Sequence, residues 1–243
     1  MRGLFVTGTG TGVGKTVLSA ALLAAMAAAG EPVRAHKPVV TGLDEPSGEW
    51  PPDHELLARA AHMAPEEVAP LRYGPAVSPH LAAELAGERL DPTQLLAAAR
   101  AAGQRHTLVV EGVGGLLVPL AERYTVRDLA AELRLPLLIA APAGLGTINH
   151  TLLTLYAARA AGLEVCAVVL TPWSSQPSAM EQSNRDTIAR LGDIEVAALP
   201  RIPGPDLMAL AGSGTQVPWR EWLARERPIP SRAYDQRRLE AET

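Results

Sequence analysis

Lysine is almost absent from this sequence. Only two of its 22 basic residues are lysines, Lys15 and Lys37. A lysine carries a compact positive charge on a flexible stem, which an arginine does not reproduce. A preference for arginine codons explains the scarcity but not the positions, because Lys15 closes a glycine-rich loop and Lys37 precedes a proline at a predicted strand end. Both lysines are therefore candidate functional residues.

Aromatic residues, cysteine and long apolar runs are also scarce. Aromatic residues make up 4% of the chain, so alanine, leucine and valine must fill the core. The single cysteine, Cys166, has no disulfide partner within the chain, which fits a reducing cytoplasm. No run reaches the roughly 18 apolar residues of a membrane span, and Gly3–Val6 is too short for a signal peptide. We expect a cytoplasmic protein that does not enter membranes.

Charge and length narrow the class further. The formal net charge is −4 and the basic residues form no block, so we expect no nucleic-acid surface. A length of 243 residues suits one α/β domain. After about Arg227 the chain is polar and charged without apolar periodicity. We therefore expect one domain over residues 1–227 and a poorly ordered tail over residues 228–243.

Short apolar strands alternate with helical segments, which predicts a mostly parallel sheet with helices on both faces. The predicted strands are Leu4–Thr7, Pro32–His36, Thr107–Val110, Pro136–Ala141, Glu164–Leu170 and Ile194–Leu199. The predicted helices are Lys15–Ala29, Asp53–Met63, Asp91–Ala102, Thr125–Leu133, Thr147–Ala161, Ser178–Leu191 and Trp219–Arg225. Asp53 is a possible N-cap of its helix, and residues 43–52 read as a mobile surface loop.

The segment from Gly8 to Thr16, GTGTGVGKT, follows a predicted strand and opens a predicted helix. Its glycines allow backbone N–H groups to surround a phosphate, and the helix N-terminus adds a positive dipole end. Lys15 supplies charge to the outer phosphates and Thr16 offers a hydroxyl to Mg²⁺. Five residues separate Gly8 from Gly14, where the common pattern has four. The context still predicts a nucleoside triphosphate site in a P-loop NTPase-type fold.

Other P-loop classes fit less well. No Asn-Lys-x-Asp guanine signature occurs, which disfavours a GTPase switch. Partition-type ATPases carry an additional lysine early in the loop, where this chain has Gly10.

Candidate site residues follow other strands as well. Lys37 lies at a strand's carboxyl end, where open α/β sheets bind ligands. Glu111 ends a buried strand before Gly112-Val113-Gly114-Gly115, and its carboxylate is suited to hold Mg²⁺ directly or through water. Residues 144–150, GLGTINH, join a strand to a helix, so their N–H groups are suited to bind a carboxylate. Ordinary helix capping is the alternative for this last segment and for Asp53.

In this order the motifs resemble those of the dethiobiotin synthetase family, over roughly residues 2–202. The matching segments are GTGTGVGKT, HKPVVTG, the Asp53 helix, SPH at residues 78–80, VVEGVGG and GLGTINH. The resemblance implies an Mg²⁺-dependent enzyme that converts 7,8-diaminopelargonate, CO₂ and ATP to dethiobiotin, ADP and phosphate through a carbamate and a carbamic-phosphoric anhydride. It also implies a homodimer whose active sites lie at the subunit interface.

The resemblance assigns roles to individual residues. The Mg²⁺ ligands match Thr16, Asp53 and Glu111, and the catalytic residues match Lys37, Lys15 and Thr11. The substrate-contacting positions match Lys37, Thr41, Leu145, Gly146 and Asn149, of which the last three receive the substrate carboxylate from a neighbouring subunit. The nucleotide-binding positions match Gly12, Val13, Gly14, Lys15, Thr16, Val17, Asp53, Glu111, Gly112, Val113, Gly114, Thr171, Pro200, Arg201 and Ile202.

Two departures from the family pattern affect these expectations. Gly10 and Gly12 replace acidic or polar residues that several members carry in the loop. Thr171-Pro172 replaces an Asn-Asp pair whose Asn reads adenine in some members, and a threonine cannot repeat the paired hydrogen bonds of an Asn. We therefore hypothesise a relaxed nucleotide choice, with CTP or GTP accepted beside ATP.

Three alternatives are open. A related ATP-dependent amidation or cyclisation enzyme is one, although enzymes that amidate cobyrinate usually carry a glutaminase domain with a Cys nucleophile, and Cys166 lies in a strand. A regulatory nucleotide switch or an inactive paralogue would bind nucleotide without diamine-dependent turnover, and Lys37, Asp53 and Glu111 would then have no function.

The six histidines lack the i, i+4 pairing of a zinc helix, so we interpret His36, His80 and His150 as packing or supporting groups.

Overall fold

A computed structural model describes residues 1–46 and 48–225 of the chain. The strands are β1 Gly3–Gly8, β2 Val33–His36, β3 Thr107–Glu111, β4 Pro119–Ala121, β5 Tyr124–Thr125, β6 Leu137–Ala141, β7 Val165–Trp173 and β8 Glu195–Pro200. The helices are α1 Lys15–Ala28, α2 Asp53–Ala61, α3 Pro65–Val68, α4 Pro79–Leu85, α5 Pro92–Ala102, α6 Val126–Leu133, α7 Thr147–Ala160, α8 Ala179–Gly192, α9 Leu207–Gly214 and α10 Trp219–Ala224.

Six of the strands form one parallel sheet in the order β2-β3-β1-β6-β7-β8. The strands β4 and β5 form a separate antiparallel hairpin. Parallel strands need crossover connections, which the intervening helices provide. The predicted α/β fold is confirmed, and the carboxyl ends of all six strands share one edge of the sheet.

Apolar side chains cover the sheet on both faces. Because successive side chains point to opposite faces of a strand, Leu4 and Val6 enter one core while Phe5 enters the other. The first core packs under α1, α2, α9 and α10, and the second packs under α4 to α8. This double cover explains why the inner strands of the sheet, such as β6 with the sequence LLIAA, are apolar without alternation.

The predicted and observed elements differ at particular residues. The N-cap position of α2 is Pro52, so the expectation that Asp53 caps this helix is wrong: Asp53 is the first helical residue and its carboxylate makes no capping hydrogen bond. The strand β7 runs three residues beyond the predicted end at Leu170. The short helices α3 and α4, the hairpin and α9 were not predicted.

Helix α9 escapes prediction because its sequence, LMALAGSG, is short and rich in small residues. It packs against α1 at very close range. A Cβ atom at Gly214 would lie 2.1 Å from the carbonyl oxygen of Ala21, so this crossing requires glycine.

Two expectations concern the limits of the described chain. Within residues 1–46 and 48–225, no helix is long and apolar enough to cross a membrane. The tail predicted from residue 228 onward lies outside the described residues.

Candidate active site

Three neighbouring strands deliver the site residues to one edge of the sheet. β1 leads into the phosphate loop, β3 ends at Glu111, and β2 is followed directly by Lys37. Since the sheet order is β2-β3-β1, these three groups lie side by side. The backbone of Lys37 is anchored because its N–H donates to the carbonyl of Val68, 2.8 Å away, at the end of α3.

Glycine conformations shape the phosphate loop, residues 8–16. Gly12 and Gly14 have φ values of 73° and 90°, in the left-handed region that favours glycine. Gly14 also stands against Thr171 at the end of the sheet strand β7, since an added Cβ would lie 2.7 Å from the Thr171 methyl carbon. The loop therefore leads into the N-terminus of α1, a position where backbone N–H groups can bind a phosphate.

Lys15 folds back into this loop. Its Nζ donates to the carbonyl oxygen of Gly10 at 2.8 Å, and the residue is buried. Burial lowers the pKa of Lys15, and nearby Lys37 lowers it further, while Glu111 and Asp53 act in the opposite direction. The ammonium is thus held inside the loop with a neutral acceptor as its hydrogen-bond partner.

Thr16, Asp53, Lys37 and Glu111 form a closed cycle of polar contacts, which we call the polar ring. The Thr16 hydroxyl lies 2.9 Å from Asp53 Oδ1 and 2.9 Å from Glu111 Oε1. The Lys37 ammonium donates to Asp53 Oδ2 at 2.6 Å and to Glu111 Oε1 at 2.5 Å. Residues separated by up to 95 positions in sequence therefore meet within hydrogen-bond distance.

Burial and charge act against each other in the polar ring. Lys37 and Glu111 are almost fully buried, whereas the Asp53 side chain is 44% exposed. Burial alone would lower the pKa of Lys37, but Glu111 and Asp53 outweigh it and raise this pKa above the ordinary lysine value. Burial would raise the pKa of Asp53, but Lys37 and Thr16 outweigh it and lower this pKa. Both groups are therefore charged at neutral pH.

The oxygen atoms of the ring fit a magnesium ion. They belong to two carboxylates and one hydroxyl, the hard donors that Mg²⁺ prefers. Neighbouring ligands around an octahedral Mg²⁺ lie about 2.9 Å apart when each is 2.0–2.1 Å from the ion, and Thr16 Oγ1 has this spacing to both carboxylates. Glu111 Oε2 is buried without a hydrogen-bond partner, so it has a lone pair available for a cation.

A cavity of about 660 Å³ opens beside the polar ring. Its polar lining includes residues predicted from the sequence: Thr11, Lys15, Thr16, Lys37, Thr41 and Asp53. The predicted nucleotide-site residues Gly12, Gly14, Val17, Val113 and Gly114 line it as well. Glu111 lies behind Lys37 and Thr16, in contact with both.

A second group of predicted site residues does not line this cavity. Leu145 and Asn149 are exposed at the start of α7, with Gly146 at its N-cap. Thr171 is buried beside the phosphate loop at Gly14, and Pro200, Arg201 and Ile202 follow at the end of the neighbouring strand β8. The described chain brings the first group together but leaves Leu145, Gly146 and Asn149 exposed to solvent.

Several lining residues were not predicted. They are Trp50, Pro51, Leu56, Ala76, Val77, Pro79 and Val118. No sequence signal marks Trp50, since it lies in a segment expected only to be a surface loop. Ser78 and Pro79 were noted as part of the SPH motif, but without a role.

Comparison with known proteins places this chain in a family. A family model described as an AAA domain matches residues 2–207. The ATP-dependent dethiobiotin synthetase BioD of Anaeromyxobacter dehalogenans strain 2CP-1 is 45% identical over 202 residues, which cover 82% of this chain and 89% of that protein. The protein of the same name from Mycobacterium sp. strain KMS is 44% identical over 205 residues, or 82% and 88% of the two chains. This chain belongs to the dethiobiotin synthetase family.

Solved structures extend the comparison of the dethiobiotin synthetase fold. The cell division ATPase MinD of Pyrococcus furiosus superposes with a TM-score of 0.53 at 14% identity, covering 100% of both chains. A single-residue variant of Cyanothece McdA in complex with ATP superposes with a TM-score of 0.52 at 12% identity, covering 95% of this chain and 99% of that one. At such low identity these likenesses show the P-loop fold alone.

Proposed function

We propose that this chain catalyses the ATP-dependent conversion of 7,8-diaminopelargonate and CO₂ to dethiobiotin, ADP and phosphate, a step of biotin biosynthesis. The observation that carries the proposal is the polar ring beside the phosphate loop. A nucleotide switch needs the loop and a metal ligand. It has no use for a buried lysine held between two carboxylates at the wall of a 660 Å³ cavity.

The cavity suits a substrate that is polar at one end and apolar along its length. Thr11, Lys37 and Thr41 offer polar groups near the phosphate loop, where the two amines of the substrate would lie. Val77 and Val118 supply apolar wall for the methylene chain. Ligand pockets of a few hundred to a thousand cubic ångströms commonly combine an apolar lining with a few placed polar groups.

The reaction proceeds through two intermediates. A neutral amine of the substrate attacks CO₂, loses a proton and becomes a carbamate. A carbamate oxygen then attacks the γ-phosphorus of ATP, and ADP leaves. The second amine attacks the carbonyl carbon of the resulting carbamic-phosphoric anhydride, closing a five-membered cyclic urea as phosphate leaves. This closure is intramolecular, and well-oriented intramolecular reactions gain of order 7–11 kcal/mol.

Two lysines would neutralise the charge that develops during phosphoryl transfer. Because the pKa of Lys37 is raised, this residue stays protonated and acts as a positive group for the carbamate and γ-phosphate oxygens rather than as a base. Lys15 would exchange the Gly10 carbonyl for a phosphate oxygen. Thr16, Asp53 and Glu111 would hold Mg²⁺, which supplies further positive charge to the phosphates.

The exposed segment at the start of α7 suggests where the second subunit binds. Leu145, which precedes α7, is 94% exposed, and Leu153 and Tyr156 are exposed on α7 itself. Positions 149, 153 and 156 lie on one side of this helix, so Leu153 and Tyr156 present an apolar surface beside Asn149. We propose that a second copy of the chain covers it, and that Gly146 and Asn149 then receive the carboxylate of a substrate held by the other subunit.

The base of the nucleotide would lie near Thr171 and residues 200–202. Thr171 is buried and its methyl carbon faces Gly14, which supports a packing role rather than base recognition. Backbone groups of Pro200–Ile202 then carry the base contacts, and a relaxed choice among ATP, CTP and GTP follows. A preference for ATP above about a hundredfold in kcat/KM would contradict this part of the proposal.

We also propose that the enzyme acts in the cytoplasm.

Phosphate release by the purified protein tests the proposed reaction. It should require Mg²⁺, nucleoside triphosphate, 7,8-diaminopelargonate and bicarbonate together, and it should disappear in Lys37→Ala. Parallel assays with ATP, CTP and GTP rank the nucleotides. Nucleotide binding without diamine-dependent release would contradict the proposal and favour a nucleotide switch or an inactive paralogue.

A further inference from the structure

The Lys37 ammonium is already bound by two side chains of the protein itself. Its ammonium is buried and donates to a carboxylate oxygen of Asp53 and to one of Glu111. Lys15, the other lysine of the chain, donates to the Gly10 carbonyl and to neither carboxylate. Within the part of the chain that the structure describes, Lys37 is the cation in direct contact with both acidic groups.

The polar ring has more acceptor oxygens than protons that its donors can supply. Thr16 Oγ1 lies 2.9 Å from two carboxylate oxygens, yet a hydroxyl has one proton to donate. Glu111 is fully buried and its Oε2 has no hydrogen-bond partner. Two carboxylates this close are stable as anions only with a cation between them, and the Lys37 ammonium offsets one of the two negative charges here.

The same oxygens are the donors proposed for magnesium. Glu111 Oε1 and Asp53 accept from Lys37, so a metal ion entering the polar ring meets acceptors that an ammonium already uses. It also meets the repulsion of that ammonium. Metal binding is favourable when Lys37 leaves the ring, and Lys37 leaves at low cost when another anion is within reach, such as a phosphate or a carbamate oxygen.

We propose that Lys37 is a built-in counter-cation, which occupies the magnesium site of the metal-free chain and gives it up only as anionic substrate arrives. This inference rests on the proposed magnesium site and deepens it. Its consequence is that free Mg²⁺ binds weakly to the protein alone. The charge of Lys37 is directed to the reacting oxygens at the moment when the metal takes its place.

A metal titration without nucleotide tests this exchange. Wild type and Lys37→Met are titrated with Mn²⁺, a stand-in for Mg²⁺, and the dissociation constant is measured by electron paramagnetic resonance. We expect the variant to bind about tenfold more tightly or better, because removing a competing like charge at this distance is worth more than about 1.4 kcal/mol. Lys37→Arg keeps the charge and should bind as weakly as wild type. Equal affinity of Lys37→Met and wild type would overturn the proposal.

Thermal unfolding supplies a second readout on the same variants. Without metal, Lys37→Met should unfold at a lower temperature than wild type, and Mg²⁺ should restore it. Arg2→Met is the matched control, because it breaks the ion pair of Arg2 with Glu31 away from the site. Its loss of stability should not respond to Mg²⁺. A loss in Lys37→Met that Mg²⁺ fails to reverse would contradict the exchange.

The wild-type protein gives a third test that does not depend on any variant folding. Since the chain has only two lysines, ¹⁵Nζ-lysine labelling yields two side-chain signals. Slow hydrogen exchange of the Lys37 ammonium is expected in the metal-free protein and should be lost when Mg²⁺ and a non-hydrolysable ATP analogue are added. An unchanged Lys37 signal in a protein with diamine-dependent activity would overturn this inference while leaving the proposed reaction intact.

Discussion

The two halves of the sheet end very differently at the edge that binds ligands. The half formed by β2, β3 and β1 ends in Lys37, Glu111 and the phosphate loop, which meet in the buried polar ring. The half formed by β6, β7 and β8 ends in Ala141, Trp173 and Pro200, and the loop after β6 exposes Leu145 to solvent. The first half, which we call the charged half, carries charged groups that pair with each other. The second, which we call the uncharged half, presents backbone groups and apolar surface.

This difference predicts that substitutions in the two halves of the sheet impair the enzyme in different ways. The charged half has its partners within the same chain, so its function should fail when one side chain is changed. The uncharged half is proposed to act through a second copy and through backbone contacts, so its variants should affect binding rather than chemistry. Four predictions test this division, beginning with the largest expected effect.

Glu111→Gln should reduce kcat/KM for diamine-dependent phosphate release by about a thousandfold, because it removes a proposed Mg²⁺ ligand and with it the metal charge that stabilises the transition state. The amide keeps the shape of the side chain but removes one of two negative charges from the polar ring. Glu164→Gln is the matched control, because Glu164 precedes β7 at the opposite edge of the sheet. A loss below about tenfold in Glu111→Gln would contradict the charged half's proposed role.

Leu153→Arg should convert the proposed dimer to a monomer, as measured by sedimentation velocity. A charge in the middle of an apolar interface is costly to bury. We expect KM for the diamine to rise about tenfold or more, with KM for the nucleotide nearly unchanged, since one buried charge-assisted contact contributes about 1.5–3 kcal/mol. Leu85→Arg on α4 is the control, because Leu85 is similarly exposed but lies outside this helix. A variant that stays dimeric would show that α7 is not the interface.

Thr171→Asn should shift the nucleotide preference towards ATP by up to about tenfold in kcat/KM, the effect of a small gain in base hydrogen bonding. Thr171→Ser is the control, since it keeps the hydroxyl but removes the methyl group that packs on Gly14. Parallel assays with ATP and CTP measure the ratio. A ratio that changes equally in both variants would indicate a packing effect on the phosphate loop rather than recognition of the base.

Acid should lower the stability of the fold through His36, the buried residue that precedes Lys37 in the charged half. Burial lowers the pKa of His36 to about 4, while a histidine of the unfolded chain titrates near 6.5. Between these values the unfolded state binds more protons, so stability falls as the pH is lowered from about 6.5 towards 4. Urea unfolding midpoints should therefore drop with pH in wild type and drop less in His36→Gln. His62→Asn, at an exposed histidine, should follow wild type.

The sequence predicts the charged half better than the other. Lys37 could be recognised because it is one of two lysines and follows a strand, and Glu111 because it ends an apolar strand. The phosphate loop could be recognised because glycines and Gly-Lys-Thr lie between a strand and a helix. The polar ring itself could not be predicted, because sequence patterns do not give the order of the strands in the sheet. Asp53 also reaches Thr16 only because α2 packs on α1.

The remaining differences have local causes. Asp53 resembles a helix cap in sequence, yet Pro52 takes that position and leaves the carboxylate for Thr16 and Lys37. Trp50 lines the cavity from a segment whose composition indicates only a loop. Helix α9 depends on the contact of Gly214 with α1, a tertiary effect that no local pattern reports.

The burial of both lysines has a consequence for handling the protein. Amine-reactive dyes and cross-linkers attack uncharged, accessible amines, and Lys15 and Lys37 are 6% and 3% exposed. The sequence contains no third lysine. Reaction under mild conditions should therefore leave the side chains at the catalytic edge of the sheet unmodified.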